Sequence, residues 1–195
     1  MDSKTIEIYS QKASQFSQEW LEQPAPSDIY ELIKKYFISG GQTIDVGCGN
    51  GRDTHWLNQN NFPAIGVDAV ESLLAEASRL FPSVEFKKAN LPQLSEINEK
   101  FSNVFCETVI MHLPLAEIGE AIQRIKSLAI KSGVVYLSWR VTEKDDIRDQ
   151  NGRLYSAFEP NLVINFFDKN EILHFEDKIS KSSGKRVCRL IAKVK

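Results

Sequence analysis

The chain has 195 residues, 42% of them apolar, with 24 basic against 26 acidic side chains and a net charge of −2. That supports one packed domain burying roughly 70% of its unfolded surface, and it excludes a disordered chain or a disulfide-stapled miniprotein. The charge balance supplies no electrostatic drive toward nucleic acid or an anionic membrane. No apolar run approaches the ~20 residues of a membrane span, residues 1–20 lack a signal-peptide stretch, and Cys48, Cys106 and Cys188 lie far apart without zinc spacing. A cytoplasmic protein without a structural metal is the expectation.

Ile6, Tyr9, Ala13, Phe16, Trp20 and Leu21 recur at helical spacing, which predicts one amphipathic helix over 6–21. Gln23-Pro24-Ala25-Pro26-Ser27 breaks it, and a second helix carries Ile29, Leu32, Ile33, Tyr36 and Phe37 up to Ser39-Gly40-Gly41. Strands then alternate with helices. Thr43–Val46 is a strand, followed by a glycine loop and a helix through Trp56 and Leu57. Ala64–Val67 is a second strand before a helix over 70–80, and Val84–Phe86 is a third. Asn103–Ile110 reads as the fourth strand, Leu115–Ala129 as a long helix capped by Gly133, and Val134–Trp139 as the fifth strand. Repeated units of this kind predict a doubly wound, Rossmann-like α/β sheet, mostly parallel, with helices on both faces. Lys144–Asp149 reads as a solvated charged loop and Glu171–Phe175 as a short helix. Ser182-Ser183-Gly184-Lys185 reads as the turn of a hairpin that pairs 176–180 with 186–194, making the last strand antiparallel. No repeat or long linker divides the chain, so 1–195 is one domain, with 1–26 a helical lid or appendage.

Thr43-Ile44-Asp45-Val46-Gly47-Cys48-Gly49-Asn50-Gly51-Arg52 is the most specific segment. Glycines after a strand let the backbone turn tightly and let a ligand lie against main-chain N–H groups. The spacing is G-x-G-x-G. A dinucleotide fingerprint would need glycine where Arg52 stands, which argues against a nicotinamide oxidoreductase. Asp68 ends the next strand, where a carboxylate can accept both hydroxyls of a ribose; the competing reading is an N-cap for the helix that follows. Asp53, in the first turn of the helix after the loop, complements the helix dipole.

Asp45-Val46-Gly47-Cys48-Gly49-Asn50-Gly51, Asp68 and Met111-His112-Leu113-Pro114 together resemble the class I S-adenosylmethionine-dependent methyltransferases, in particular small bacterial ones. The resemblance runs from about Ile29 to the C-terminus, and the antiparallel last strand suits that family's sheet. It implies S-adenosylmethionine as cofactor, with Gly47, Cys48 and Gly49 lining its methionine part and Asp45 holding the loop or meeting the amino group. Asp68 is implied to bind the ribose, and Ala69 and Val70 to flank the adenine. Asn90-Leu91 stands where an acid and an apolar residue usually meet the adenine amine, with asparagine departing from the acid. Glu107 is implied to face the methionine moiety.

An oxygen or protonated nitrogen acceptor also needs a base, and His112 is the candidate; the competing reading is a cap for the helix near Pro114. His55 and His174 fall on predicted helices and read as structural or exposed, and Cys106 as a buried small residue. The Asn/Asp-Pro-Pro-aromatic segment by which base-amino and glutamine methyltransferases resemble one another is missing after the fourth strand, and no basic stripe interleaved with aromatics favours RNA. Methyl transfer to O or N of a small molecule is therefore the expected activity. Its alternatives are a cofactor-binding, non-catalytic partner subunit of the same fold and a protein or RNA methyltransferase. Arg140 and Arg153 are candidates for holding an acidic group, or else solvated loop arginines. Tyr9 and Trp20 either cover the substrate or merely pack their helix on the sheet.

Overall fold

The computed structural model describes residues 1–180 and 184–195. Its elements are α1 (Ser3–Gln11), α2 (Ala13–Glu22), α3 (Ser27–Tyr36), β1 (Thr43–Val46), α4 (Arg52–Gln59), β2 (Ala64–Asp68), α5 (Glu71–Leu80), β3 (Glu85–Lys88) and β4 (Phe101–Cys106). There follow a 3-10 turn (Ile110–His112), α6 (Leu115–Ser127), β5 (Ala129–Arg140), β6 (Ile147–Arg148), β7 (Leu154–Tyr155), α7 (Pro160–Ile164), β8 (Ile172–Ile179) and β9 (Arg186–Lys193). Seven strands form one sheet in the order β3-β2-β1-β4-β5-β9-β8, while β6 and β7 pair apart from it. β1 to β5 run parallel, and β9 is antiparallel to both β5 and β8. This is the expected Rossmann-like fold.

α6 shows how sequence builds a layer. Ile118, Ala121, Ile122 and Ile125 follow one another by three or four residues and are all buried, while Arg124 and Lys126 sit in the last turn where cations suit the helix dipole. That stripe packs with Val104, Cys106, Val135 and Leu137 on one face of the sheet. The other face buries Phe105 and Tyr136 against Ile29, Ile33 and Phe37 of the α3 region and Leu57 of α4. Strand order reverses between β1 and β4, and such a switch point opens a crevice at the carboxyl ends of the strands.

Several elements depart from the sequence pattern, each for a tertiary reason. The helix expected over 6–21 breaks at Lys12 into α1 and α2. No glycine or proline marks the break; α1 is fastened to β7, where Leu154 N–H donates to Thr5 Oγ1 at 2.9 Å, while α2 lies on the glycine loop. β4 ends at Cys106 rather than Ile110 because Thr108 takes φ 55° and donates its N–H to Ser138 Oγ at 2.9 Å, turning the chain. α6 ends at Ser127 and Gly133 lies inside β5, which is longer than expected. Glu171–Phe175 is no helix: Ile172 onward forms β8, because pairing with β9 outweighs local propensity, and His174 is therefore on a strand. The hairpin forms as expected, with Lys181, Ser182 and Ser183 of its turn outside the described residues. The charged run contributes β6 and two ion pairs, Arg148 with Asp2 and Asp149 with Arg153, so it is not simply solvated.

Candidate active site

The glycine loop is built by what glycine permits. Gly47 has φ 78°, and a Cβ on it would lie 2.3 Å from Val109 Cγ2; Gly49 has φ 55°, and its Cβ would lie 2.9 Å from the Trp20 ring. Only glycine combines that backbone with those close approaches. The N–H groups of Gly47 and Cys48 both donate to Val67 O, at 2.8 and 3.0 Å, which locks the loop to β2.

Asp68 fastens the loop from the other side. Its Oδ2 accepts the Gly49 N–H and its Oδ1 the Val70 N–H, both at 2.9 Å. The bond to Val70, two residues on, is an Asx-turn. The residue preceding α5 is Val70, so Asp68 is not that helix's N-cap. Each carboxylate oxygen retains a lone pair. Burial pushes the Asp68 carboxyl up from its usual range, with the Val70 and Gly49 N–H groups opposing it.

Asp45 lies underneath. It is buried on β1, accepts Thr54 Oγ1 at 2.6 Å, and burial pushes its pKa up to about 8. It fixes α4 to the strand and does not reach the cavity wall. Gly47, Cys48, Gly49, Asp68, Val70, Glu107 and His112 do line one cavity at the carboxyl end of the sheet; Ala69, Asn90 and Leu91 do not. Leu91 is buried in the core and Asn90 is exposed. Glu107 Oε2 accepts Tyr136 OH and Ser138 Oγ, at 2.6 and 2.5 Å, and burial raises its pKa against both bonds.

His112 sits in the 3-10 turn. Its Nδ1 is 2.5 Å from Leu154 O, so Nδ1 carries the hydrogen and Nε2 is the acceptor, 3.3 Å from Tyr9 OH. Burial drives its pKa down to about 4, which keeps the ring neutral near pH 7. It does not cap α6, whose N-cap is Pro114 with no side-chain bond. His55 stacks on Phe81 with ring centroids 4.4 Å apart, and Cys106 is fully buried in β4.

The cavity has a wall that sequence reasoning saw only in outline. Tyr9 and Trp20 line it from α1 and α2. α2 is tied to the loop by Asn50, whose Nδ2 donates to Ser17 O at 3.0 Å, and by Arg52, whose Nη1 donates to Trp20 O at 3.1 Å. Asp53 accepts Tyr30 OH at 2.7 Å and pairs with Arg52, and it too lines the cavity, so its part exceeds that of a dipole acid. Tyr155 joins from β7. Only its sequence neighbour Arg153 hinted at that segment, because β6 and β7 are too short to give a period. Among the described residues no cluster could hold a metal ion, and no helix is long and apolar enough to cross a membrane.

The geometry agrees with comparison to known proteins. Residues 44–133 match the family model described as a methyltransferase domain. A provisionally named methyltransferase of Geobacillus sp. (strain WCH70) is 29% identical over 130 residues, 62% of this chain and 51% of its own length. The chain thus spans about half the length of that curated relative. A SAM-dependent methyltransferase from Anabaena variabilis superposes with a TM-score of 0.76 at 18% identity, covering 100% of this chain and 96% of that one. The 1,6-didemethyltoxoflavin-N1-methyltransferase of Burkholderia thailandensis, with 1,6-didemethyltoxoflavin and S-adenosylhomocysteine bound, superposes at 0.75 and 16% identity, covering 98% and 88%. Residues 44–133 thus match a methyltransferase domain, and the chain as a whole shares the fold of these solved structures.

Proposed function

We propose that this chain is an S-adenosylmethionine-dependent methyltransferase acting on O or N of a small molecule. The observation that carries the reading is Asp68, buried at the end of β2 and hydrogen-bonded to the glycine loop, with a free lone pair on each oxygen beside the cavity. The donor set fits the cofactor. Glu107 is a carboxylate whose burial disfavours its charge, a cost that a ligand bearing a sulfonium and an ammonium relieves, and the free lone pairs of Asp68 suit hydroxyl donors. When bound, S-adenosylmethionine supplies a methyl group already activated for in-line displacement, so the protein's work is alignment and exclusion of water.

In this reading Asp68 holds the ribose, the backbone of Gly47 to Gly49 and the Glu107 carboxylate face the methionine part, and α1 and α2 close the cavity with Tyr9 and Trp20. His112 Nε2, neutral and aimed at the Tyr9 hydroxyl, is positioned to take the acceptor's proton once that hydroxyl yields. The buried thiols of Cys48, Cys106 and Cys188 suit a reducing cytoplasm. Incubation with methyl-tritiated S-adenosylmethionine and a panel of hydroxyl and amine small molecules tests the activity. Transfer to at least one panel member is expected; label found only on added protein or RNA would overturn the small-molecule reading.

A further inference from the structure

Both carboxylates and arginines line the cavity. Asp68 on β2 and Glu107 after β4 are the carboxylates assigned to the cofactor, and Arg140 at the tip of β5 and Arg153 before β7 line the same cavity. Sequence alone treats the two arginines alike, but the structure separates them. Arg153 is committed: its Nε and Nη2 bond Asp149 at 2.8 and 2.6 Å, its Nη1 bonds Tyr9 OH at 2.9 Å, and its guanidinium lies over Phe16 at 4.7 Å. Arg140 has no carboxylate partner among the described residues. Among the described residues its side chain makes one hydrogen bond, from Nη1 to Tyr155 OH at 3.3 Å, and its guanidinium lies 5.6 Å from the centre of that ring. Half-buried in the wall, it keeps the other edge of its donor fork unused.

We propose that Arg140 is the specificity residue of the acceptor pocket and that the methyl acceptor is an organic acid bearing a carboxylate or phosphate. The inference rests on the methyltransferase reading above. A planar guanidinium held beside an aromatic ring by its hydroxyl binds such an anion through two parallel hydrogen bonds, and that hold removes part of the ordering cost. Tyr155 also meets His112 edge-on, with ring centroids 4.8 Å apart. An acid held at Arg140 therefore sets the remainder of the acceptor along Tyr155 toward His112. Arg140 draws an acid toward itself, while Asp68 and Glu107 disfavour one in direct contact with them.

The test uses the full chain saturated with S-adenosylhomocysteine and three probes that share a phenyl ring, benzoate, phenyl phosphate and neutral benzamide, titrated calorimetrically. The parent should bind at least one of the two anions ten-fold or more tighter than benzamide. Arg140→Gln should lose roughly 10- to 100-fold in anion affinity while benzamide is unchanged, and Arg140→Lys should recover part of the loss because charge persists without the fork. Which anion wins separates a carboxylate from a phosphate acceptor. No preference for either anion in the parent, or an unchanged preference in Arg140→Gln, overturns the proposal. The S-adenosylhomocysteine titration that precedes the probes reports separately: failure there refutes the methyltransferase reading, whereas saturation followed by no anion preference refutes only the role of Arg140.

Discussion

Removing the Asp68 carboxylate tests the site most informatively, because this side chain fastens the glycine loop and, in the proposed function, also holds the ribose. In Asp68→Ala the buried N–H groups of Gly49 and Val70 lose their acceptor, each originally bonded at 2.9 Å. An orphaned buried donor costs about 1–3 kcal/mol, partly offset here because the carboxylate itself is unfavourably buried. A net loss of about 2 kcal/mol corresponds to a fall in Tm of about 4–8 °C for a chain of this size. The ribose contacts are additional. Two charge-assisted hydrogen bonds are worth about 1.5–3 kcal/mol each and rarely add in full, so S-adenosylmethionine should weaken by about 2–4 kcal/mol, or about 30- to 1,000-fold. The control is Thr54→Val, which deletes the 2.6 Å bond to Asp45 beneath the loop and touches no cavity wall. It should lower Tm and leave affinity within about threefold. Asp53 cannot serve, since it lines the cavity itself. Melting curves and calorimetric titrations of both variants decide the matter. Asp68→Ala binding as tightly as the parent refutes the ribose assignment, and equal weakening in both variants reassigns the effect to a loosened loop.

His112→Ala should slow methyl transfer by about 100-fold or more, with S-adenosylhomocysteine affinity within about threefold, as single-turnover rates and calorimetry would report; unchanged turnover removes His112 from the chemistry. With its pKa near 4, the His112-dependent part of the rate should be flat above about pH 6 and fall as Nε2 protonates in more acidic buffer. Gly47→Ala forces a Cβ to 2.3 Å from Val109 Cγ2 at φ 78°, so a stability loss of at least about 2 kcal/mol is expected by denaturant titration; a neutral result would show that the loop relaxes freely. Asp45, with its pKa raised to about 8, holds its proton in the folded chain while the unfolded chain releases it near 3.8. Its contribution is therefore complete at acid pH and is lost as pH rises through 8, with a slope of at most about 1.4 kcal/mol per pH unit. Between about pH 4 and 6.5 His112 works in the opposite sense, since the unfolded chain binds its proton more tightly. Above that window Asp68 and Glu107, whose carboxyls burial also raises, act in the same sense as Asp45, so only the part lost in the variant belongs to Asp45. Asp45→Asn should flatten the fall in cofactor-free stability between pH 6.5 and 8, and an unchanged pH profile would contradict the assignment.

The parallel part of the fold was legible because its signals are local. Thr43–Val46 and Ala64–Asp68 are short apolar runs bounded by glycine or acid, and α6 carries an uninterrupted stripe. Legibility failed wherever a distant partner decides the backbone. β8 is a strand because it pairs with β9, and the break at Lys12 exists because α1 and α2 have separate anchors at Leu154 and Asn50. The site divides in the same way. The glycine loop and Asp68 announce themselves by spacing, since their geometry is set within one strand–loop–helix unit and its neighbour. The different standing of Arg140 and Arg153 could not be read, because it turns on Asp149, Tyr9 and Tyr155, brought together from α1 and the β6–β7 segment. Asp45 shows the reverse case. The resemblance left it between holding the loop and meeting the cofactor, and the Thr54 hydroxyl nine residues on places it beneath the loop.

The most direct test of the central claim is a calorimetric titration of the unmodified chain with S-adenosylmethionine. A cavity holding the ribose on Asp68 and the sulfonium end beside Glu107 predicts one site per chain, with a Kd on the order of micromolar. No saturable binding up to about a thousand-fold higher ligand concentration, with the chain folded by its melting curve, would contradict it.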